Sequence, residues 1–417
     1  MRIKPVDLAG KRDYNDRQLN KINNWIDRSL DLMNLMIEAS NTEPVEPRYF
    51  KGSELLKVTN QRSASTITKA AQRGDIPLPV KSSNGQNLGY TLKQVLEIQT
   101  YFDSRPIRKP GDPSVVLAFI NFKGGCWKST TAQHAASYYA NLGLRVLIVD
   151  LDPQASLTAS VGVRPDVDTH YYNTFAAYFD GVETDEGESC VTADYVRSCV
   201  RNTYLPTLDI IPSCLDMAEC EFSLAAEQFR NQHLPGRSSF ASFYKVKEAL
   251  SYVRDDYDIV IVDGTPSLGM IPMNILLASD ALIVPVPTER NDFISTQAFC
   301  RLYVSMCEKI RMVVGDDELL PDMMFVASRY SKSRSADEIL NFMKSIYAND
   351  IAPEAVRKHD AGVGNLTQFC RTVFDIKAGE VIDRKQRQAA MENYEHVLDY
   401  VLEKAVYEHW PSKVGRI

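Results

Sequence analysis

The residues best suited to chemistry lie in one short run, Lys123-Gly124-Gly125-Cys126-Trp127-Lys128-Ser129-Thr130. It follows a continuous apolar stretch, SVVLAFINF at 114–122, and opens a helical pattern, TTAQHAASYYANLG, that closes at Gly143. Adjacent glycines let backbone N–H groups approach an anion closely, and a helix start adds a favourable dipole. In such a loop Lys128 reaches the β- and γ-phosphates of a nucleotide and the Ser129 hydroxyl ligates Mg²⁺. The general pattern GxxxxGK[ST] fails at both glycine positions, where Phe122 and Trp127 stand. A chance KGG loop is the bland alternative, but a loop between buried strand and helix is where phosphates bind.

Two further acid groups end apolar strands. Asp150-Leu151-Asp152-Pro153-Gln154 closes LRVLIVD, and Asp263 closes DIVIVD at 258–263. Ligands collect at the carboxyl ends of strands in open α/β sheets. There one acid organises a magnesium shell and another orients an attacking water. The alternative for each is a solvated polar loop.

These residues need a sheet to carry them. Apolar runs at 114–122, 144–152, 207–213, 256–266, 281–287 and 323–330 alternate with helical segments, which predicts a mostly parallel sheet covered by helices. The chain has 417 residues, 47 basic and 54 acidic side chains and a net charge near -7. That length suggests two or three domains. No segment approaches a membrane span, no apolar signal core opens the chain, and the eight cysteines form no CxxC or Cys/His cluster, so a cytoplasmic protein is expected. The six histidines show no ligand spacing, and Tyr138 and Tyr139 are read as packing residues.

The first hundred residues differ. Residues 14–39 carry Leu19, Ile22, Trp25, Ile26, Leu30 and Met33 at helical spacing, an amphipathic helix whose apolar face suits a second copy or its own chain. Residues 51–110 hold ten basic and four acidic side chains. Ser53 is the expected cap of a first short helix, and Ser63 or Ser65 of a second. An Asn84-Gly85 turn between short extended segments then forms a wing. The whole reads as a winged helix-turn-helix, with Ser65, Thr66, Lys69 and Arg73 on or near the recognition helix. The expected domains are a dimerisation helix at 1–45, the winged module at 46–105 and a nucleotide-binding domain at 106–417. A Pro-rich basic linker at 104–113 joins the last two, and an acidic stretch at 180–189 is read as a solvated loop.

The combination KGGxxK[ST], DLDPQ and DIVIVD over 114–410 resembles the ParA/MinD family of deviant Walker A ATPases, and the added winged module resembles the large plasmid-type ParA proteins. That resemblance implies an α/β P-loop NTPase fold and an ATP-sandwich homodimer. In it Lys123 is the signature lysine reaching the partner's nucleotide and Lys128 binds phosphates in its own subunit. Gly124, Gly125, Cys126, Trp127, Ser129 and Thr130 complete the ATP or ADP loop. Asp152 is tied to water activation, and Ser129, Asp150 and Asp263 surround Mg²⁺. The family also implies non-specific DNA binding, for which Arg329, Lys332, Arg334, Arg384, Lys385 and Arg387 are the candidates. Each of these taken singly reads more readily as an ordinary solvated surface cation. Trp127 is the main departure from the family pattern, read as tolerated and as a possible stacking surface for the nucleotide.

The resulting expectation is a nucleoid-associated, ATP-dependent DNA partition protein. A ParB-type centromere-binding partner stimulates its hydrolysis, and the winged module represses its own operon at an operator site. Two alternatives stand beside it: an ATP-responsive DNA-binding regulator with weakened hydrolysis, Trp127 being the lesion, and a metabolic or metal-cluster-loading ATPase on the same scaffold.

Overall fold

The computed structural model describes residues 16–25, 28–29, 48–165, 167–183, 187, 189–233, 241–267, 269–314, 320–358, 371–376 and 383–413. The chain divides into two compact units, Met1–Glu46 and Pro47–Ile417. In the first, 16–25 and 28–29 are helical, and Leu19, Ile22 and Trp25 are exposed. The rest of the expected amphipathic helix lies outside the described residues.

The second unit opens with α1 (Gly52–Val58) and α2 (Ala64–Arg73), followed by a hairpin of β1 (Val80–Lys81) and β2 (Asn87–Gly89) and by α3 (Leu92–Tyr101). The α2 helix is capped by Ser63, whose side chain accepts from the Ser65 N–H. Ser53, the expected cap of α1, sits inside its first turn instead. The extended Lys51 holds the cap position, where its side chain makes no cap bond. Gly85 takes φ 79°, the left-handed conformation that the Asn-Gly turn requires. Thr91 and Gln94 close a reciprocal capping box at the start of α3.

A seven-stranded sheet follows. Its strands are β3 (Val115–Phe119), β4 (Val146–Asp150), β5 (Arg201–Asn202), β6 (Leu208–Ile211), β7 (Ile259–Asp263), β8 (Ala281–Pro287) and β9 (Asp322–Ser328), in the order β5-β6-β4-β7-β3-β8-β9. Every pairing is parallel except β5 with β6. The two-residue β5 has no apolar run to announce it. The helices are α4 (Lys128–Leu142), α5 (Ser156–Ser160), α6 (Phe175–Asp180), α7 (Ala193–Ser198), α8 (Met217–His233), α9 (Lys245–Ser251), α10 (Met270–Ala278), α11 (Arg290–Val314), α12 (Arg334–Tyr347) and α13 (Arg384–Ala405).

The inner strands β3, β4, β7 and β8 are apolar up to their ends because both faces are covered. Leu117, Phe119, Ile259 and Ile261 enter one core with residues of α4 and α13, while Val116, Ala118, Val260 and Val262 enter another with residues of α6, α9 and α10. The winged module shares the first core, through Phe50, Leu55, Ile67, Val95 and Ile98. Buried Gln99 reinforces that junction, its amide donating to Val58 O at 2.7 Å and to Leu142 O at 2.8 Å. The module and the sheet domain are therefore one packed body rather than two beads on a linker.

Candidate functional site

The interior strand β3 delivers the chain into the glycine loop. Its neighbour β7, and β4 on the far side of β7, deliver the acids, since Asp263 is the register partner of both Phe119 and Asp150. The loop, the two strand-end carboxylates and the start of α4 thus meet at the carboxyl edge of the sheet. Gly124 and Gly125 are exposed, and a Cβ added at either meets no atom within 4 Å. Gly125 takes φ 73°, and Trp127 takes φ 70° and ψ 33° at the N-cap of α4. Trp127 therefore holds the left-handed conformation of a glycine. Its half-buried indole packs against the core beneath α4. That contact is the one the structure gives to the side chain expected to stack on a nucleotide. Lys128 is buried, with its ammonium donating to Lys123 O at 3.4 Å, while Ser129 and Thr130 are half-buried. Burial pushes the Cys126 thiol up from its ordinary value, which keeps it protonated and unreactive.

The three acids differ in how they are held. The Asp150 carboxylate accepts from the Thr158 N–H at 2.8 Å and hydroxyl at 2.7 Å through one oxygen, and from the Asp152 N–H at 3.1 Å through the other. Both oxygens expected to serve a metal are thus engaged by the chain's own donors. Burial nonetheless raises its pKa to about 6. Asp152 accepts from the Gln154 N–H at 3.0 Å. Asp263 is fully buried and, among the described residues, neither of its oxygens has a hydrogen-bond partner. Burial first, and the Asp150 charge second, push its pKa far up; the Ser129 hydroxyl and the Lys128 ammonium pull it back. An orphaned buried carboxylate beside a hydroxyl and an ammonium fits a bound cation, and the open glycine loop next to it fits an anion.

Sequence reasoning missed four residues here. Asp292, at the start of α11, is almost fully buried and forms an ion pair with Lys123. Thr158 is the hydroxyl that clamps Asp150. Ser328 and Glu289 are the others: Ser328 donates to Cys126 O at 3.0 Å, and Glu289 pairs with Arg329 at 3.4 Å. A Ser or an acid just past an apolar strand is too common to stand out without the strand order.

The DNA-binding candidates separate. Ser65, Thr66, Lys69 and Arg73 share the exposed side of α2, although Arg73 is tied to Asp75 at 2.8 Å and to the Tyr101 hydroxyl at 3.4 Å. Lys332, Arg384 and Lys385 are exposed, and exposed Arg334 pairs with Glu338 one turn on. Arg387 is half-buried and faces inward, within the fields of Asp375 and Glu395. Arg329 lies against the glycine loop rather than on an open face, donating to Gly125 O at 3.3 Å.

Fold and site together define a P-loop nucleotide-binding protein of the α/β class. The family model described as an AAA domain matches residues 114–310. Over 98% of both chains, this one is 27% identical to the "Putative replication protein A" of Sinorhizobium fredii. It is 27% identical to Protein SopA of Escherichia coli over 84% of this chain and 86% of that one. A solved structure titled "Partition Protein" superimposes with a TM-score of 0.59 at 22% identity, covering 86% of this chain and 97% of the other, and so shares the fold. These similarities support a ParA-type partition ATPase.

Proposed function

We propose that the chain is an Mg-ATP-dependent DNA partition protein that works as a nucleotide-sandwich homodimer. The observation that carries this reading is the orphaned Asp263 carboxylate, buried beside Lys128 and Ser129 at the mouth of an open glycine loop. Lys128, with the N–H groups of 124–130, binds the phosphates. Ser129 and Asp263 hold Mg²⁺, with Asp150 kept in place by Thr158 behind them. Mg²⁺ supplies charge neutralisation at the β- and γ-phosphate oxygens. Asp152 orients the attacking water, and Lys123 leaves Asp292 to reach the phosphates of the partner subunit's nucleotide.

Phosphoryl transfer depends on positioning and charge, and with Lys123 held away basal turnover is slow. In the ATP state the dimer binds bulk DNA through exposed cations that include Lys332, Arg334, Arg384 and Lys385. A ParB-type partner stimulates hydrolysis and releases the DNA. In the ADP or apo state the exposed side of α2, with Ser65, Thr66 and Lys69, enters the major groove at an operator and represses the operon. A cytoplasmic, nucleoid-associated protein follows from this reading; among the described residues no helix is long and apolar enough to cross a membrane. A regulator with a decayed nucleotide site is the weaker alternative, because Trp127 keeps the glycine-like turn and the acids stay gathered. The deciding experiment is a hydrolysis assay with and without DNA and the partner. Slow basal turnover that rises when both are added supports the reading, and fast DNA-independent turnover contradicts it.

A further inference from the structure

We propose that Arg329 and Ser328 are positioning residues of the nucleotide loop: the end of β9 aims the loop's N–H groups by holding their carbonyls from behind. A phosphate cradle is built from backbone N–H groups, so the carbonyl on the opposite side of each peptide needs a partner of its own. The loop carbonyls are satisfied in two ways. Lys123 O and Trp127 O accept from within the loop and α4, from the Lys128 ammonium at 3.4 Å and from the Thr131 N–H at 2.9 Å and hydroxyl at 2.6 Å. Gly125 O and Cys126 O are held from outside, by the Arg329 guanidinium at 3.3 Å and the buried Ser328 hydroxyl at 3.0 Å.

A trans peptide points its N–H opposite to its C=O. Fixing the Gly125 and Cys126 carbonyls toward β9 therefore fixes the Cys126 and Trp127 N–H groups away from it. Two successive residues at one strand end hold two successive peptides. The backbone is bent to do this: Arg329 sits at φ 52°, a conformation that side chains with a Cβ rarely adopt. The strand end is itself fixed, since the Thr288 N–H donates to Ser328 O at 3.0 Å and Glu289 pairs with the Arg329 guanidinium. Arg329 belongs by type and exposure to the DNA-binding candidates, but its contacts are with the nucleotide loop.

This inference rests on the nucleotide reading, and the test separates the two. Full-length wild type, Arg329→Ala, Arg329→Lys and Ser328→Ala are titrated with Mg-ATP, and KM and kcat are measured with DNA and partner present. DNA affinity is measured at saturating Mg-ATP across a salt series. Arg329→Ala raises the Kd and KM for Mg-ATP about tenfold, the scale of one hydrogen bond from a charged donor. Its kcat, melting temperature and saturated DNA affinity stay near wild type. Arg329→Lys recovers part of the loss, because a lysine keeps the charge but not the planar fork. Ser328→Ala raises KM in the same direction and serves if Arg329→Ala fails to fold. Unchanged nucleotide affinity in these variants, or an Arg329→Ala that weakens DNA binding and flattens its salt dependence, overturns the inference. Wild type that binds no Mg-ATP overturns the nucleotide reading and this inference with it.

Discussion

Lys123 and Asp292 form an ion pair that joins the glycine loop after β3 to the start of α11. Asp292 is only 2% exposed, while the lysine side chain is 39% exposed. The buried acid needs its cation, and a half-exposed pair is worth about 1 kcal/mol. In the proposed function Lys123 must leave Asp292 before it serves a second subunit. Asp292→Asn keeps the shape and removes the charge. It lowers the protein concentration needed for ATP-dependent dimerisation by about fivefold. Sedimentation with and without Mg-ATP checks this, and an unchanged or weakened dimer contradicts it.

Trp127 stands in a conformation suited to glycine while its ring packs on the core. Truncation to alanine or to glycine removes the same ring contacts, but only glycine relieves the backbone. Trp127→Gly is therefore more stable than Trp127→Ala by about 1 kcal/mol in chemical denaturation. Equal stabilities would mean that the loop relaxes once the ring is gone.

Asp263 is a fully buried acid whose oxygens accept no hydrogen bond among the described residues, and its pKa is raised by burial and by Asp150. An acid whose native pKa lies above its unfolded value destabilises the fold when ionised. The penalty is complete above the native pKa and vanishes below the unfolded one. Asp263→Asn therefore stabilises the apo protein by about 2 kcal/mol at alkaline pH, and the gain fades as pH falls toward the unfolded carboxylate value. Thermal melts of both proteins across pH measure this. The same variant loses ATP hydrolysis.

Much of this was legible in the sequence, for reasons that differ residue by residue. The loop stood out because Gly124, Gly125 and Lys128 are rare together between an apolar strand and a helix. The inner strands stood out because burial on both faces removes polar residues from their middles. Asp292 did not, because its pairing with Lys123 depends on β3 lying beside β8, a neighbour relation set by crossovers. Arg329 was grouped with Lys332 and Arg334 on charge alone. Only the register of β9 against β8 brings it to the loop. The outline of the winged module was visible in the Ser63 cap and the Asn-Gly turn. Its fusion to the sheet domain was not, because one buried glutamine carries no periodic signal.

That glutamine gives a further test. Gln99 bridges α1 and α4 through two carbonyls and is fully buried. Gln99→Ala strands both carbonyls at a junction closed to water and costs about 2 kcal/mol. Because the module shares one core with the sheet domain, the wild-type 47–417 unit unfolds in a single transition. Differential scanning calorimetry reads both results, and two resolved wild-type transitions would show the module to be independent.

The most direct test of the central claim is equilibrium binding of Mg-ATP by titration calorimetry to the wild-type chain and to Lys128→Ala. The glycine loop, Lys128 and Asp263 predict saturable binding of one nucleotide per chain that requires Mg²⁺ and is lost in Lys128→Ala. Wild type silent at millimolar Mg-ATP, or equal binding by both proteins, would contradict it.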